Sequence, residues 1–206
     1  GADLIHYAEN SGTGSPTTVT LQAATTFRDG AWHHIAIIVT GGTAMVAYID
    51  GQLVTATPQT VLNVDLSGSD KCKLCSDMDG ASNWPEGNMC HVGFWNAALT
   101  EAEIRSLMTA STYAEAVTKS GNTPAHYYLL ESDADASVGG VDGTLEGPSF
   151  RGDRAHLPAG YYLTGNQHNA HLRTGRALNL SGSNEYIDAD GFTFDASLGY
   201  TISFWF

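Results

Sequence analysis

The chain is poor in basic charge. Nine Lys and Arg stand against 22 Asp and Glu, a formal net charge of −13. A chain of that sign repels phosphate backbones, which argues against nucleic acid as a partner. Long apolar runs are also missing: no stretch approaches the roughly 20 residues that span a bilayer as a helix. Cysteine is limited to Cys72, Cys75 and Cys90. No staple is required, because a chain of this length buries roughly 70% of its unfolded surface. The first residues carry neither an initiator Met nor a signal peptide.

What is present is turn-rich. The 206 residues are 42% hydrophobic and 10% aromatic, ordinary for a globular domain, and include 23 glycines. Glycine with abundant Thr, Ser and Asn favours short strands and many turns, in one large all-β domain or two small ones.

From Val19 to Val64 the pattern is a ladder of strands. Thr18 to Gln22 alternates, Trp32 to Val39 is largely apolar, and Ala44 to Ile49 and Gln52 to Ala56 follow. Asp29-Gly30, Gly41-Gly42 and Asp50-Gly51 punctuate them as tight turns, which predicts an antiparallel meander. Residues 66–89 read as a polar loop and His91 to Asn96 as a strand. Thr100 with Glu103 three residues on is a capping box, and Ile104, Leu107 and Met108 form a narrow apolar face. One short surface helix is therefore expected at about 101–110. Residues 113–124 read as a linker. Tyr127 to Leu130 opens a second unit, Arg176 to Asp188 gives two strands around a Ser-Gly-Ser-Asn turn, and Tyr200 to Phe206 is a strand. In that last strand Ile202, Phe204 and Phe206 alternate with Thr201, Ser203 and Trp205, the signature of one buried face. Both ends lie in strand-like sequence, so the chain reads as a window cut from a longer polypeptide.

Cys72-Lys73-Leu74-Cys75 has the two-residue spacing of zinc and redox motifs. The redox reading lacks its βαβ context. The preferred expectation is one local disulfide, closing on Cys90 from Cys75 or from Cys72, with the odd cysteine left over.

These segments resemble the laminin-G-like jelly roll of the concanavalin A-like lectin superfamily. Asp29-Gly30-Ala31-Trp32-His33-His34-Ile35-Ala36 is similar to its "DGxWHHvA" strand, and Ala47 to Val54 to its "lYvDGxlv" hairpin. Val92 to Ile104 is similar to the "vriyNraLsaeEI" strand and helix. Asp135 to Leu145 resembles the opening "DssGNgndGtL" loop, Ala177 to Ile187 the "aLxfdGsddYv" hairpin, and Thr201 to Phe206 the "tiSfWv" strand. The late elements of the family come first here. The resemblance thus implies an all-β, antiparallel two-sheet jelly-roll sandwich with one short surface helix. Residues 1–112 are its C-terminal half. Residues 125–206 are its N-terminal half, completed by 1–112 of the same or a neighbouring copy. The order fits a circularly permuted domain or, as preferred, one out-of-frame period of a tandem array.

The resemblance implies calcium, with Asp135 and Asp142 at the acidic loop positions and Asp133 beside them, since hard oxygens along a glycine-bent turn suit that ion. Against it, the family's loop asparagine is Gly139 and its acidic pair is Cys90-His91. Trp84, Tyr161 and Tyr162 are loop aromatics suited to stacking on sugars. The superfamily's glycosidase strand "ExDxxE" is matched only partly by Glu131 to Asp135, so no enzyme is expected. His33 and His34 belong to the strand motif, with one ring expected in and one out. Asn179-Leu180-Ser181 is a glycosylation acceptor with Asn179 facing outward, and Arg151-Gly152-Asp153 spells an integrin tripeptide. The expected function is a non-catalytic extracellular or cell-surface module, a repeat unit of an adhesive or filament-forming protein whose partners are copies of itself. A calcium-assisted glycan-binding lectin domain is the alternative.

Overall fold

The computed structural model describes residues 4–9, 17–22, 31–40, 44–54, 71–74, 86–130, 133–146, 149–151, 177–181, 186–191 and 199–206. Two strands, β1 (Leu4–Glu9) and β2 (Thr17–Gln22), pair with each other as an antiparallel ribbon. The meander follows as β3 (His34–Thr40), β4 (Ala44–Ile49) and β5 (Gln52–Leu53). Next come β6 (Lys71–Leu74) and β7 (Glu86–Trp95), then the helices α1 (Glu101–Leu107) and α2 (Tyr113–Ser120). Short strands β8 (His126–Tyr128), β9 (Ala136–Val138), β10 (Thr144–Glu146) and β11 (Ser149–Arg151) lead to β12 (Ala177–Ser181), β13 (Tyr186–Asp190) and β14 (Gly199–Trp205).

Among the described residues these make an antiparallel sandwich. The large sheet runs β11-β12-β7-β14-β3-β4-β5, with β8 and β9 branching from β7. The small sheet is β10-β13-β6. Between them lies the main core. It takes Ile35, Ile37 and Val39 from β3, Met45 and Ala47 from β4, Phe94 from β7, Leu178 and Leu180 from β12, and Ile187 and Ala189 from β13. Leu74 and Leu145 pack against it from the rest of the small sheet. The helices cover the other face of the large sheet. Ala36, Ile38, Trp95, Ile104, Leu107, Ala116 and Tyr127 are buried there.

This second cover changes how the strands read. Because helices lie on one face and a sheet on the other, β3 is buried at every position from His34 to Val39. In β14 the face expected outside is the better buried one. Thr201, Ser203 and Trp205 are almost fully buried, while Ile202 and Phe204 are only partly so. Alternation named the two faces correctly but not which of them is hidden. Thr201 can be buried because its hydroxyl donates to Ala97 O at 2.8 Å and accepts the Leu99 N–H at 2.9 Å.

The capping box at Thr100 forms as expected: Thr100 N–H donates to Glu103 Oε2 at 2.7 Å, and Glu103 N–H donates to Thr100 Oγ1 at 3.3 Å. Residues 113–120 of the expected linker are instead α2. Thr112 caps it by accepting the Glu115 N–H at 3.2 Å, and Gly121 closes it in the left-handed region at φ +67°. The same Ser/Thr-x-x-Glu signal stands at both helix starts.

Strands from 125–206 complete sheets with strands from 1–112. β14 inserts between β3 and β7, β12 pairs with β7, and β13 pairs with β6, all antiparallel.

Candidate functional site

β7 is the strand on which the sheet forks. Along one edge it pairs first with β12, through Glu86 to Met89, and then with β8, through Val92 to Phe94. On its other edge the register to β14 shifts between Ser203 and Trp205. The turning point is His91, which sits at φ +53° with its N–H donated to Leu129 O at 3.1 Å. An extra residue at left-handed φ is the geometry of a β-bulge, which bends the strand and re-aims a side chain.

That side chain is turned into the layer between sheet and helices. His91 Nδ1 lies 3.1 Å from the Tyr127 hydroxyl. Nearby, the Ser203 hydroxyl lies 2.7 Å from His34 Nε2, with Ser203 2% and His34 1% exposed. Trp95 meets Tyr127 edge-on at 6.3 Å between centroids, and Trp205 meets His34 the same way at 5.3 Å. Leu107 and Ala110, at the end of α1 and just beyond it, close the group from above. Together these residues line a cavity of about 10 Å³. Burial pushes the His91 imidazole down to about 4 from its ordinary 6.5, so the ring is neutral at physiological pH.

A serine hydroxyl on a histidine nitrogen is the contact of a nucleophile with its base. Here the surrounding space admits a water-sized group and no substrate, and the lining contains no carboxylate. The arrangement is a buried polar knot inside an apolar layer, in which His91 Nε2 has no hydrogen-bond partner among the described residues.

Comparison with known proteins fits this fold. The laminin G model of the concanavalin A-like lectin/glucanases superfamily matches residues 2–105, just over half of the 206. The chain belongs to this superfamily. No curated protein and no solved structure is matched.

For a concanavalin A-like domain, the positions expected to bind a ligand are distributed as follows. Asp133, Asp135 and Asp142 are exposed in the turns around β9. Asp133 Oδ1 accepts the Asp135 N–H at 3.4 Å, and Asp142 Oδ1 accepts the Ala136 N–H at 3.0 Å. The Asp133 and Asp142 carboxylates thus bond the backbone of these turns. Among the described residues no three His, Cys, Asp or Glu come together as a metal-holding group. Trp84, Tyr161, Tyr162 and Cys75 lie outside the described residues, as does Glu131 of the partial glycosidase match. Cys72 belongs to β6 of the small sheet. Cys90 is 1% exposed and packs with Met108, Ala177 and Trp205 on the helix side of the large sheet, the face turned away from β6. Asn179 faces out between buried Leu178 and Leu180, and its Nδ2 donates to Asn88 Oδ1 at 3.0 Å.

Of the histidine pair, His34 is buried, while His33 is only partly buried and meets Asp50. The His91 cluster was not foreseen. The signal for it was present in Trp205, a large aromatic residue on a face otherwise made of Thr201 and Ser203, and in His91 where the family carries an acid.

Proposed function

We propose that the chain is a non-catalytic extracellular module, a repeat unit of an adhesive or filament-forming surface protein whose neighbours are further copies. The observation that carries this reading is the strand pairing between the two halves. β12, β13 and β14 resemble the opening of the family's jelly roll, and they pair with β7, β6 and β3, which belong to its later part. A single chain therefore supplies strands of both halves of a sandwich in permuted order. Copies of such a unit follow one another as a row of closed sandwiches, without lending strands to a neighbour. The net charge of −13 keeps such a row soluble. The side chains with chemical potential support a structural role: His33, His34, Asp50, Ser203 and Tyr127 are engaged in internal bonds.

The test is the mass of the native polypeptide on a reducing, denaturing gel. A chain far heavier than 21.8 kDa is expected. A band near 21.8 kDa overturns the repeat-unit reading. It would favour a permuted single lectin domain, to be examined on a glycan array with and without calcium.

A further inference from the structure

We propose that the cavity between α1 and the fork of β7 is a binding site for one structural water molecule, held by His91 Nε2 and the Ser203 hydroxyl. The cavity, lined by His34, His91, Ser203 and Tyr127 among aromatic and aliphatic walls, measures about 10 Å³. That is the size that admits one water and nothing larger. His91 is 4% exposed, and its Nε2 has no hydrogen-bond partner among the described residues. A buried imidazole nitrogen left unsatisfied costs on the order of 1–3 kcal/mol, so a partner is strongly favoured.

The donor arithmetic selects water over an ion. A neutral imidazole has one N–H and one bare nitrogen. The Tyr127 hydroxyl facing Nδ1 can donate or accept, so Nε2 presents either a lone pair or an N–H. Water meets both cases because it donates and accepts. A cation would require the lone pair, an anion the N–H, and either would bring a hydration shell that the cavity cannot take. Burial holds the ring neutral, which removes any charge for an ion to answer. The Ser203 hydroxyl has one donor and two acceptor sites, and its contact with His34 uses one of them. The water therefore ties β14 and β3 to β7 at the bulge, where β12 gives way to β8 and continuous ladder bonding is interrupted.

The test is a crystal structure of the 206-residue chain at about 1.2 Å, where ordered water and hydrogen-bond geometry are resolved. The expected result is one fully occupied water within hydrogen-bond reach of both His91 Nε2 and Ser203 Oγ. A dry cavity overturns the site, and so does a His91 ring turned to place both nitrogens on protein atoms. In solution, magnetisation transfer from a long-lived water to the Ser203 and Tyr127 protons is expected; its absence counts equally against the site. Ser203→Ala should empty the cavity or reduce the water to partial occupancy. Full occupancy in that variant removes Ser203 from the proposal. The wild-type measurements stand whether or not the variant folds.

Discussion

His33 Nδ1 lies 2.7 Å from Asp50 Oδ2, while Asp50 Oδ1 accepts the His34 N–H at 2.9 Å. The Asp50 N–H returns to His34 O at 2.9 Å. One carboxylate thus binds the start of β3 to the turn after β4. Two sequence motifs that look separate, Trp-His-His and Asp-Gly, are halves of one clamp. Asp50 also sits at φ +50°, a conformation that Asp and Asn tolerate better than Ala. Asp50→Ala should therefore cost about 2–3 kcal/mol, from two lost hydrogen bonds and a strained turn. Asp50→Asn keeps one acceptor and the turn, and should cost less than half as much. Urea unfolding midpoints at constant m-value measure both. Equal losses in the two variants would show that the carboxylate clamp contributes little.

Gly93 is required for its missing side chain. A Cβ there would run into the Trp95 ring and come within 2.9 Å of the Tyr127 ring. Both rings are buried under the helices, so neither can swing away. Gly93→Ala should destabilise by about 1–3 kcal/mol through overpacking. Near-UV circular dichroism should report the displaced aromatic rings. An unchanged near-UV spectrum and midpoint would mean that the rings yield freely.

Most of the sandwich was legible because its strands are separated by turns that name themselves. Ala44 to Ile49 falls on β4, and Asp50-Gly51 forms the turn after it, both residues at positive φ. The helix layer was half legible. Thr100 with Glu103 announced α1, whereas the equivalent Thr112 and Glu115 straddled the start of a stretch, 113–124, read as linker. The face of α2 turned to the sheet carries Tyr113, Ala116 and Ser120, a weak apolar stripe of which only Ala116 and Ser120 are buried. The polar cluster was hidden for a different reason. His34, His91 and Ser203 are 57 and 112 residues apart along the chain. Their meeting depends on β14 inserting between β3 and β7 and on a bulge at His91, both non-local facts that no window of sequence carries.

The α1 cap bears on the same layer. Thr100 and Glu103 exchange their two bonds at the start of a helix whose far end, at Leu107, closes the His91 cavity. Thr100→Ala should cost about 1 kcal/mol, and Thr100→Ser almost nothing, since serine retains the acceptor. Amide exchange in α1 should quicken in the alanine variant before exchange in β3 changes. Simultaneous loss of protection in both elements would mean that helix and sheet open as one unit.

His91 should make the fold acid-sensitive in a defined window. Among the described residues its neighbours offer no counter-charge: His34 from β3, Tyr127 from β8 and adjacent Cys90 are its titratable company, and Leu107 and Ala110 face it from the helix side. Above the ordinary value of 6.5 the ring is neutral in both folded and unfolded chains, and pH has no leverage through it. Below 6.5 the unfolded chain takes up a proton that the folded chain refuses until about 4. Unfolding is therefore favoured progressively as pH falls through that interval, by about 3 kcal/mol in total, with no further slope from this group below it. His91→Asn removes the titration and still tolerates φ +53°. Although it lowers stability at pH 7 by leaving space around the bulge, it should flatten the curve between pH 6.5 and 4. Unfolding free energies at half-unit pH steps, for both proteins, measure the difference. Parallel curves would assign the acid sensitivity to another group.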